Sequence, residues 1–273
     1  MVDLLRHFCD MGLLRINSSI PLGERKMNFI KMANLQLNTR VLSPLWNTRW
    51  IILPITSSIF IMAMIIGAVL AAPREVIEGD VQRLMYIHVP SAIISYLAFG
   101  ITAVSSAIFL INGKIRWDAI ARASAGVGIL LTLFTLSTGA IWGKPIWGIY
   151  WTWDARLTST LVLLLIYSGY LLVRSLGNVN DAKAARYAAI VGLIGYLDIP
   201  LIHFSVDWWR TLHPQRIVFD IRPALPTEML IVLGISFLAV LALVLWLILL
   251  AATTEYLHQQ IGKLSNDLDQ MEN

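Results

Sequence analysis

The segment from Trp142 to Leu157, WGKPIWGIYWTWDARL, holds four of the chain's ten tryptophans. An aromatic surface with a few fixed polar groups suits a flat, mostly apolar molecule with charged edges. The alternative is a belt of indoles that anchors helix ends at the membrane–water interface. Because a belt needs only one or two rings per helix end, four rings in one segment favour a binding platform.

The spacing inside this segment supports a platform. Trp147 and Trp151 are four residues apart and would share one face of a helical turn. Gly143 and Pro145 are expected to interrupt any helix upstream, and Gly148 would let a flat molecule approach the backbone. Asp154 is expected to orient the segment by accepting hydrogen bonds. The predicted contacts are therefore Trp142, Gly143, Trp147, Gly148, Trp151, Trp153 and Asp154.

Histidines lie in two other segments that could reach the platform, YIHVPSA and IHFSVDWWRTLHP. A flat macrocycle with iron at its centre takes axial imidazoles, often one from each side. Zinc would need four closely arranged ligands, and the sequence offers no such set here. We therefore predict that His88 and His213 are the axial ligands of a haem iron. His203 is expected to have a structural or supporting role.

The composition of the chain indicates which class of protein must position these residues. The 273 residues are 57% hydrophobic and 14% charged, with a mean hydropathy of +0.69, whereas soluble domains carry about 25% charged residues. A polytopic membrane protein is expected. The single cysteine, Cys9, excludes a disulfide framework, a CxxC redox pair and a CxxCH haem-attachment site. No basic face for nucleic acid is evident.

Six apolar segments are long enough to cross a bilayer, so we predict an all-α integral membrane protein with a six-helix bundle. The broken fifth segment and the Thr- and Gly-containing third are expected to pack against neighbours. Residues 1–49 are predicted as a cytoplasmic tail, 50–251 as the membrane domain with an outer loop at 142–157, and 252–273 as a second tail. Met27 and Met32 are plausible alternative starts. The segments are residues 50–71, 90–112, 124–142, 157–174, 188–205 and 229–251.

The distribution of Lys and Arg predicts the orientation. With the N-terminus inside, the inner segments carry 14 of these residues and the outer loops carry 7. This arrangement, with both termini inside, puts the tryptophan segment and the three histidines on the outer face.

Several charged residues are candidates for further roles. A guanidinium matches the carboxylate of a haem propionate, so Arg83, Arg156, Arg210 and Arg216 are possible partners, although each could instead anchor at the headgroups. Asp198 lies within the fifth span, where it must pair or stay protonated; a packing role is preferred.

The quoted motifs resemble those of a known family. WGKPIWGIYWTWDARLTS is similar to the WGxxWxWD-type signature of the tryptophan-rich (WWD) haem-handling proteins. With YIHVPSA, IHFSVDWWRTLHP and six spans, the chain resembles the cytochrome c maturation protein C family (CcmC, haem exporter protein C) over roughly residues 50–251. Longer haem lyases share the tryptophan motif but have many more spans.

The resemblance implies a function. Family members hold haem b as transient cargo at the outer surface, between histidines that correspond to His88 and His213. The tryptophan segment would help present haem to a membrane-anchored chaperone, CcmE. The ABC-type subunits CcmA and CcmB and the small helper CcmD would associate with the chain. A bacterial inner membrane is expected, with the haem site facing the periplasm, and a mitochondrial inner membrane is possible. No enzymatic activity is implied.

Two other functions are compatible with the residues. A permease subunit of an ABC-type exporter would need polar or broken helices at mid-membrane, which only Asp198 to Pro200 offers. A haem b electron-transfer protein would hold its histidines deep within the spans, whereas His88 and His213 are predicted at the outer edge.

Overall fold

A computed structural model describes residues 43–177, 181–209, 211–213 and 225–272. The chain divides into two compact units, Met1–Ile52 and Leu53–Asn273. Within the first unit, residues 43–52 form the beginning of a helix, and the rest of the predicted 1–49 tail lies outside the described residues. All other elements belong to the second unit.

The described part of the chain is helical, apart from short connections and one isolated bridge between Glu75 and Gly79. Two short elements, a π-helical turn at Gly67–Ala71 and a 3-10 turn at Asp80–Leu84, precede the second long helix. The α-helices in chain order are α1 Ser43–Ile66, α2 Met85–Asn112, α3 Ile115–Trp147, α4 Ala155–Leu176, α5 Ala182–Tyr196, α6 Asp198–Trp208 and α7 Thr227–Glu272.

Among the described residues, six helical segments are long and apolar enough to cross a membrane. This confirms the predicted number and class of spans. The observed segments extend further at most ends because polar and aromatic residues continue the helices beyond their apolar centres. They are Trp50–Ala71, Asp80–Asn112, Ile115–Trp147, Ala155–Leu176, Ala182–Trp208 and Thr227–Gly262.

The expectation that Gly143 and Pro145 interrupt a helix is wrong. Both lie inside α3, which continues to Trp147. Pro145 removes a single backbone donor close to the helix end, and the last turn is closed by the N–H of Gly148, which donates to Lys144 O at 3.0 Å. Gly148 ends the helix with a φ of +77°, a conformation that favours glycine.

Close packing in the bundle depends on small residues of α3. The span that contains α3 is the most buried of the six, as expected from its Thr and Gly content, whereas the fifth span is no more buried than the sixth. A Cβ at Gly128 would lie 2.5 Å from the ring of Phe99, which itself stacks on Tyr167 at 3.9 Å between centroids. Glycine therefore lets α2 and α3 approach closely.

The bundle has two ends that differ in chemistry. At the site end, α2 begins, α3 ends and α4 begins. At the far end, α3 begins and α4 ends. A buried ion pair joins these helices at the far end, where Arg174 donates to both carboxylate oxygens of Asp118. Gln259 of α7 donates to the same carboxylate at 2.8 Å. This network fixes α3, α4 and α7 relative to one another.

Candidate functional site

A cavity of about 280 Å³ lies at the site end of the bundle, between α2, α3 and α4. Its walls are mostly apolar, with Val89, Ile93 and Leu136 among them. Seven aromatic and imidazole side chains also line it, namely His88, Tyr96, Trp142, Trp147, Trp151, His203 and His213. The structure thus brings both predicted histidines and three of the four predicted tryptophans to one cavity.

His88 lies in the first turn of α2, where its side chain is buried. Its Nδ1 is 3.0 Å from the hydroxyl of Thr138 on α3. That hydroxyl can donate to the carbonyl of Phe134 at 2.8 Å, which leaves its lone pair to accept from the imidazole. In this arrangement neutral His88 carries its proton on Nδ1, and the Nε2 lone pair is available to a metal ion.

The ring of His88 fits against α3 because residue 139 is glycine. A Cβ at Gly139 would lie 2.9 Å from Cε1 of His88, closer than side-chain carbons normally approach. Neither Thr138 nor Gly139 was among the predicted site residues. The signal available in the sequence was the run STGA before Trp142, since small residues in a span allow close helix contact.

Unlike His88, which belongs to a helix, His213 lies on a segment without regular secondary structure. Its Nδ1 is buried and has no hydrogen-bond partner among the described residues. The ring contacts Trp147 edge to face, with 5.7 Å between centroids. A buried, unsatisfied imidazole nitrogen is costly, and its position at a cavity fits a ligand atom that would complete it.

Burial lowers the pKa of His213 from 6.5 to about 3, and the nearby positive charge of Arg156 adds to this effect. The interaction with His88 acts in the same direction, whereas the Asp154 carboxylate opposes it. His213 is consequently neutral at physiological pH, which is the form that binds a metal.

Trp142 lies beside His88, with an edge-to-face contact of 5.6 Å between centroids. Its indole N–H donates to a carboxylate oxygen of Glu78 at 3.0 Å. Glu78 lies in the connection before α2, where its backbone N–H and that of Ile77 donate to the Glu75 carboxylate. The two residues are 64 positions apart, and no pattern in the sequence predicts their contact.

Trp147 and Trp151 both line the cavity, but not as predicted. They do not share a helical face, because α3 ends at Trp147 and Trp151 lies in the connection to α4. The Nε1 of Trp151 is buried without a hydrogen-bond partner among the described residues. Trp153 contacts Trp151 edge to face at 5.5 Å and is itself 76% exposed, outside the cavity wall.

The remaining predicted contacts are Asp154, Gly143 and Gly148. Asp154 caps α4 by accepting from the N–H of Leu157 at 2.9 Å, and its other oxygen accepts from the hydroxyl of Thr211 at 2.6 Å. Gly143 faces Trp147, since a Cβ there would lie 2.9 Å from the indole ring. Gly148 has open space around its missing Cβ. These three residues are not among those that line the cavity.

The four candidate arginines have different positions. Arg156 lines the cavity, and its Nη2 donates to the His203 carbonyl at 3.3 Å. Arg83 lies elsewhere, in an ion pair with Asp80 at 3.3 Å and a hydrogen bond to the carbonyl of Ala68. Arg210 and Arg216 lie outside the described residues. Arg156 is thus a guanidinium that a carboxylate-bearing molecule in the cavity could reach.

His203 and Asp198 both belong to α6. His203 lines the cavity and contacts the ring of Phe204 edge to face at 5.1 Å. Asp198 begins α6 after a break in the fifth span at Leu197, and its Oδ2 is buried without a hydrogen-bond partner among the described residues. It does not line the cavity.

This arrangement suits a flat, apolar, iron-containing molecule with acidic edges. Two neutral imidazoles from separate segments can supply axial nitrogens. Indole rings offer apolar contact, and Arg156 offers a partner for a carboxylate. Haem has all of these features.

Comparison with known proteins identifies the family. The heme exporter protein C family matches residues 29–266 of the chain. The heme exporter protein C of Bradyrhizobium diazoefficiens is 35% identical over 244 residues, which cover 87% of this chain and 89% of that protein. A putative cytochrome c biosynthesis ccmC-like mitochondrial protein of Marchantia polymorpha is 39% identical over 179 residues, 65% of this chain and 75% of its own length.

A third relative is the heme exporter protein C of Escherichia coli K12, 42% identical over 158 residues that cover 56% of this chain and 63% of that protein. The chain is therefore a multi-pass membrane protein that belongs to the heme exporter protein C family.

Proposed function

We propose that the chain binds haem b at the outer face of the membrane, between His88 and His213, and delivers it to a membrane-anchored haem chaperone for c-type cytochrome assembly. Haem is cargo in this proposal and is held transiently. The related proteins named for heme export and cytochrome c biosynthesis support this role.

One observation carries the proposal. A buried imidazole on α2 and a partly buried imidazole on the segment after α6 line the same apolar cavity, and each has a ring nitrogen without a hydrogen-bond partner among the described residues. Buried imidazole nitrogens that served only packing would be expected to find partners within the protein. Iron ligation by both rings explains the pair.

Delivery requires haem to leave, and the positions of the two ligands are suited to this. His88 is part of a helix and hydrogen-bonded to a second helix, whereas His213 lies on a connecting segment. An incoming chaperone histidine could replace the imidazole of His213 while His88 keeps the iron in place. The exposed ring of Trp153 beside Trp151 would contribute to the docking surface.

The proposed partners are the chaperone CcmE, the ABC-type subunits CcmA and CcmB, and the small helper CcmD. The proposed location is the bacterial inner membrane, with both termini in the cytoplasm and the cavity facing the periplasm; a mitochondrial inner membrane would also fit.

A handover experiment tests the function. The haem-loaded full chain is mixed in membranes with an acceptor chaperone, and haem on the acceptor is measured over time. Wild type should load the acceptor, while Trp151→Ala, which removes one wall of the cavity, should load it several-fold more slowly with normal membrane insertion. Equal loading by the variant and wild type would indicate that the tryptophan cluster serves only to anchor helix ends at the membrane–water interface.

The orientation has its own test. Cysteine is introduced at Tyr150 or at Lys114, which are exposed at the site end and the far end respectively, in a Cys9→Ser background. In intact cells, a membrane-impermeant maleimide should label position 150 and leave position 114 unlabelled. The reverse pattern would contradict a periplasmic site.

A further inference from the structure

The segment that carries His213 is tied to the start of α4 through a threonine hydroxyl. The backbone N–H of His213 donates to Oγ1 of Thr211 at 3.1 Å. That hydroxyl donates in turn to Oδ2 of Asp154 at 2.6 Å. A short O–H···O⁻ contact of this kind is among the stronger protein hydrogen bonds.

The donors and acceptors of His213, Thr211 and Asp154 fit together in only one way. An ionised carboxylate only accepts, so the single hydroxyl proton of Thr211 points to Asp154. Its lone pairs are then available to the N–H of His213. The second carboxylate oxygen of Asp154 accepts from Leu157 N at 2.9 Å, which fixes the carboxylate to the first turn of α4.

The imidazole of His213 lacks a side-chain hydrogen bond that would fix its orientation. The ring of His88 is oriented by a side-chain hydrogen bond to Thr138, but Nδ1 of His213 has no such partner among the described residues. Its orientation toward the cavity must therefore come from its backbone and from ring contacts such as that with Trp147.

We propose that Thr211 is a positioning residue, which holds His213 in ligating position by linking its backbone to the Asp154 cap of α4. This inference rests on the proposed haem function and assigns a role to a residue that does not itself line the cavity. Asp154 of the tryptophan segment then acts on haem through Thr211 and not by contact.

The test compares Thr211→Val with Thr211→Ser in the purified full chain loaded with hemin. Valine keeps the shape and removes the hydroxyl, so hemin dissociation to apomyoglobin should accelerate roughly tenfold. The absorption and electron paramagnetic resonance spectra should shift from low-spin toward high-spin iron. Serine should restore both readouts toward wild type.

Thr158→Val is a matched control. Thr158 also lies near the start of α4, and its buried hydroxyl has no hydrogen-bond partner among the described residues. The same chemical change there should leave the dissociation rate and the spin state as in wild type.

A double variant separates positioning from general structural support. If Thr211 acts through His213, adding Thr211→Val to His213→Ala should have no further effect on hemin dissociation. Additive effects, or a Thr211→Val protein with wild-type dissociation and spin state, would overturn the inference while leaving the haem site intact. Wild-type dissociation in His213→Ala itself would instead contradict the proposed function.

If Thr211→Val aggregates, Asp154→Asn replaces it, because asparagine can still cap α4 but lacks the charged acceptor. It should shift the dissociation rate and the spin state in the same direction, and wild-type values for both would again overturn the inference.

Discussion

The two ends of the bundle differ in the polar groups that they bury. At the far end, the carboxylate of Asp118 is surrounded by donors from Arg174 and Gln259, all of them buried. At the site end, the buried atoms Nδ1 of His213 and Nε1 of Trp151 have no partner among the described residues. Trp117 Nε1, near the start of α3, is also buried without a partner among the described residues, so an unsatisfied atom alone does not distinguish the two ends. The difference is that the far end pairs its buried charges, whereas the unsatisfied ring nitrogens of the site end lie beside an apolar cavity, where a ligand could satisfy them.

The largest expected effect is a loss of stability when the ion pair at the far end is broken. Arg174→Ala would leave the Asp118 carboxylate buried without its guanidinium, which should lower the free energy of unfolding by about 3–5 kcal/mol. Haem bound per folded molecule should stay at the wild-type level. Thermal unfolding in detergent measures the loss, and Arg186→Ala, at an exposed position on α5, is the control. A fully stable Arg174→Ala protein would contradict the assignment of this end.

The opposite result, a loss of haem binding with little loss of stability, is expected when either predicted haem ligand is replaced. His88→Ala or His213→Ala should cost about 3 kcal/mol of haem binding, roughly 100-fold in affinity, because one axial bond is lost. The thermal stability of the haem-free protein should change little by comparison. Hemin titration measures the affinity, and full haem occupancy in the double variant would count against both histidines as ligands.

A smaller effect is expected at Gly139, where a methyl group would displace the ring of His88. Gly139→Ala should weaken haem binding by roughly three- to tenfold, about 1 kcal/mol. The haem-free protein should be as stable as wild type, since alanine favours helix over glycine. Gly126→Ala on the same helix has open space for the methyl group and should bind haem normally. Equal affinities in the two variants would contradict the close contact.

The smallest expected effect is on the pH dependence of the stability of the haem-free protein. The pKa of His213 is lowered to about 3 in the folded chain and returns to an ordinary value near 6.5 on unfolding. The unfolded state therefore binds a proton more readily, so this contribution to stability is present above pH 6.5 and is lost as pH falls toward 3.

His213→Phe should consequently reduce the drop in melting temperature of the haem-free protein between pH 7.5 and pH 5. The difference between variant and wild type at the two pH values is the measurement. An identical drop would show that His213 titrates normally.

Local patterns were sufficient to predict the spans and the residues that gather at the site. Apolar runs of about 20 residues predict helices because a bilayer leaves the backbone no other partner. His88, His213, Trp142, Trp147 and Trp151 could be selected by residue type and by the segments in which they cluster, and they line one cavity.

The contacts that orient those residues could not be predicted, since they join distant parts of the chain. Thr138 lies 50 residues from His88, Glu78 lies 64 from Trp142, and Thr211 lies 57 from Asp154. Hydrophobic periodicity describes one helix at a time and does not report which helices meet. The wrong helix boundary at Pro145 has a similar origin, because the cost of proline depends on its distance from the helix end.

Joint ligation of haem iron by His88 and His213 is tested most directly by an absorption spectrum of the purified wild-type chain titrated with hemin. Ligation by both histidines should give saturable binding with a sharp Soret band and the low-spin signature of iron with two axial imidazoles. A spectrum identical to that of hemin in detergent alone, in both the oxidised and the reduced state, would contradict it.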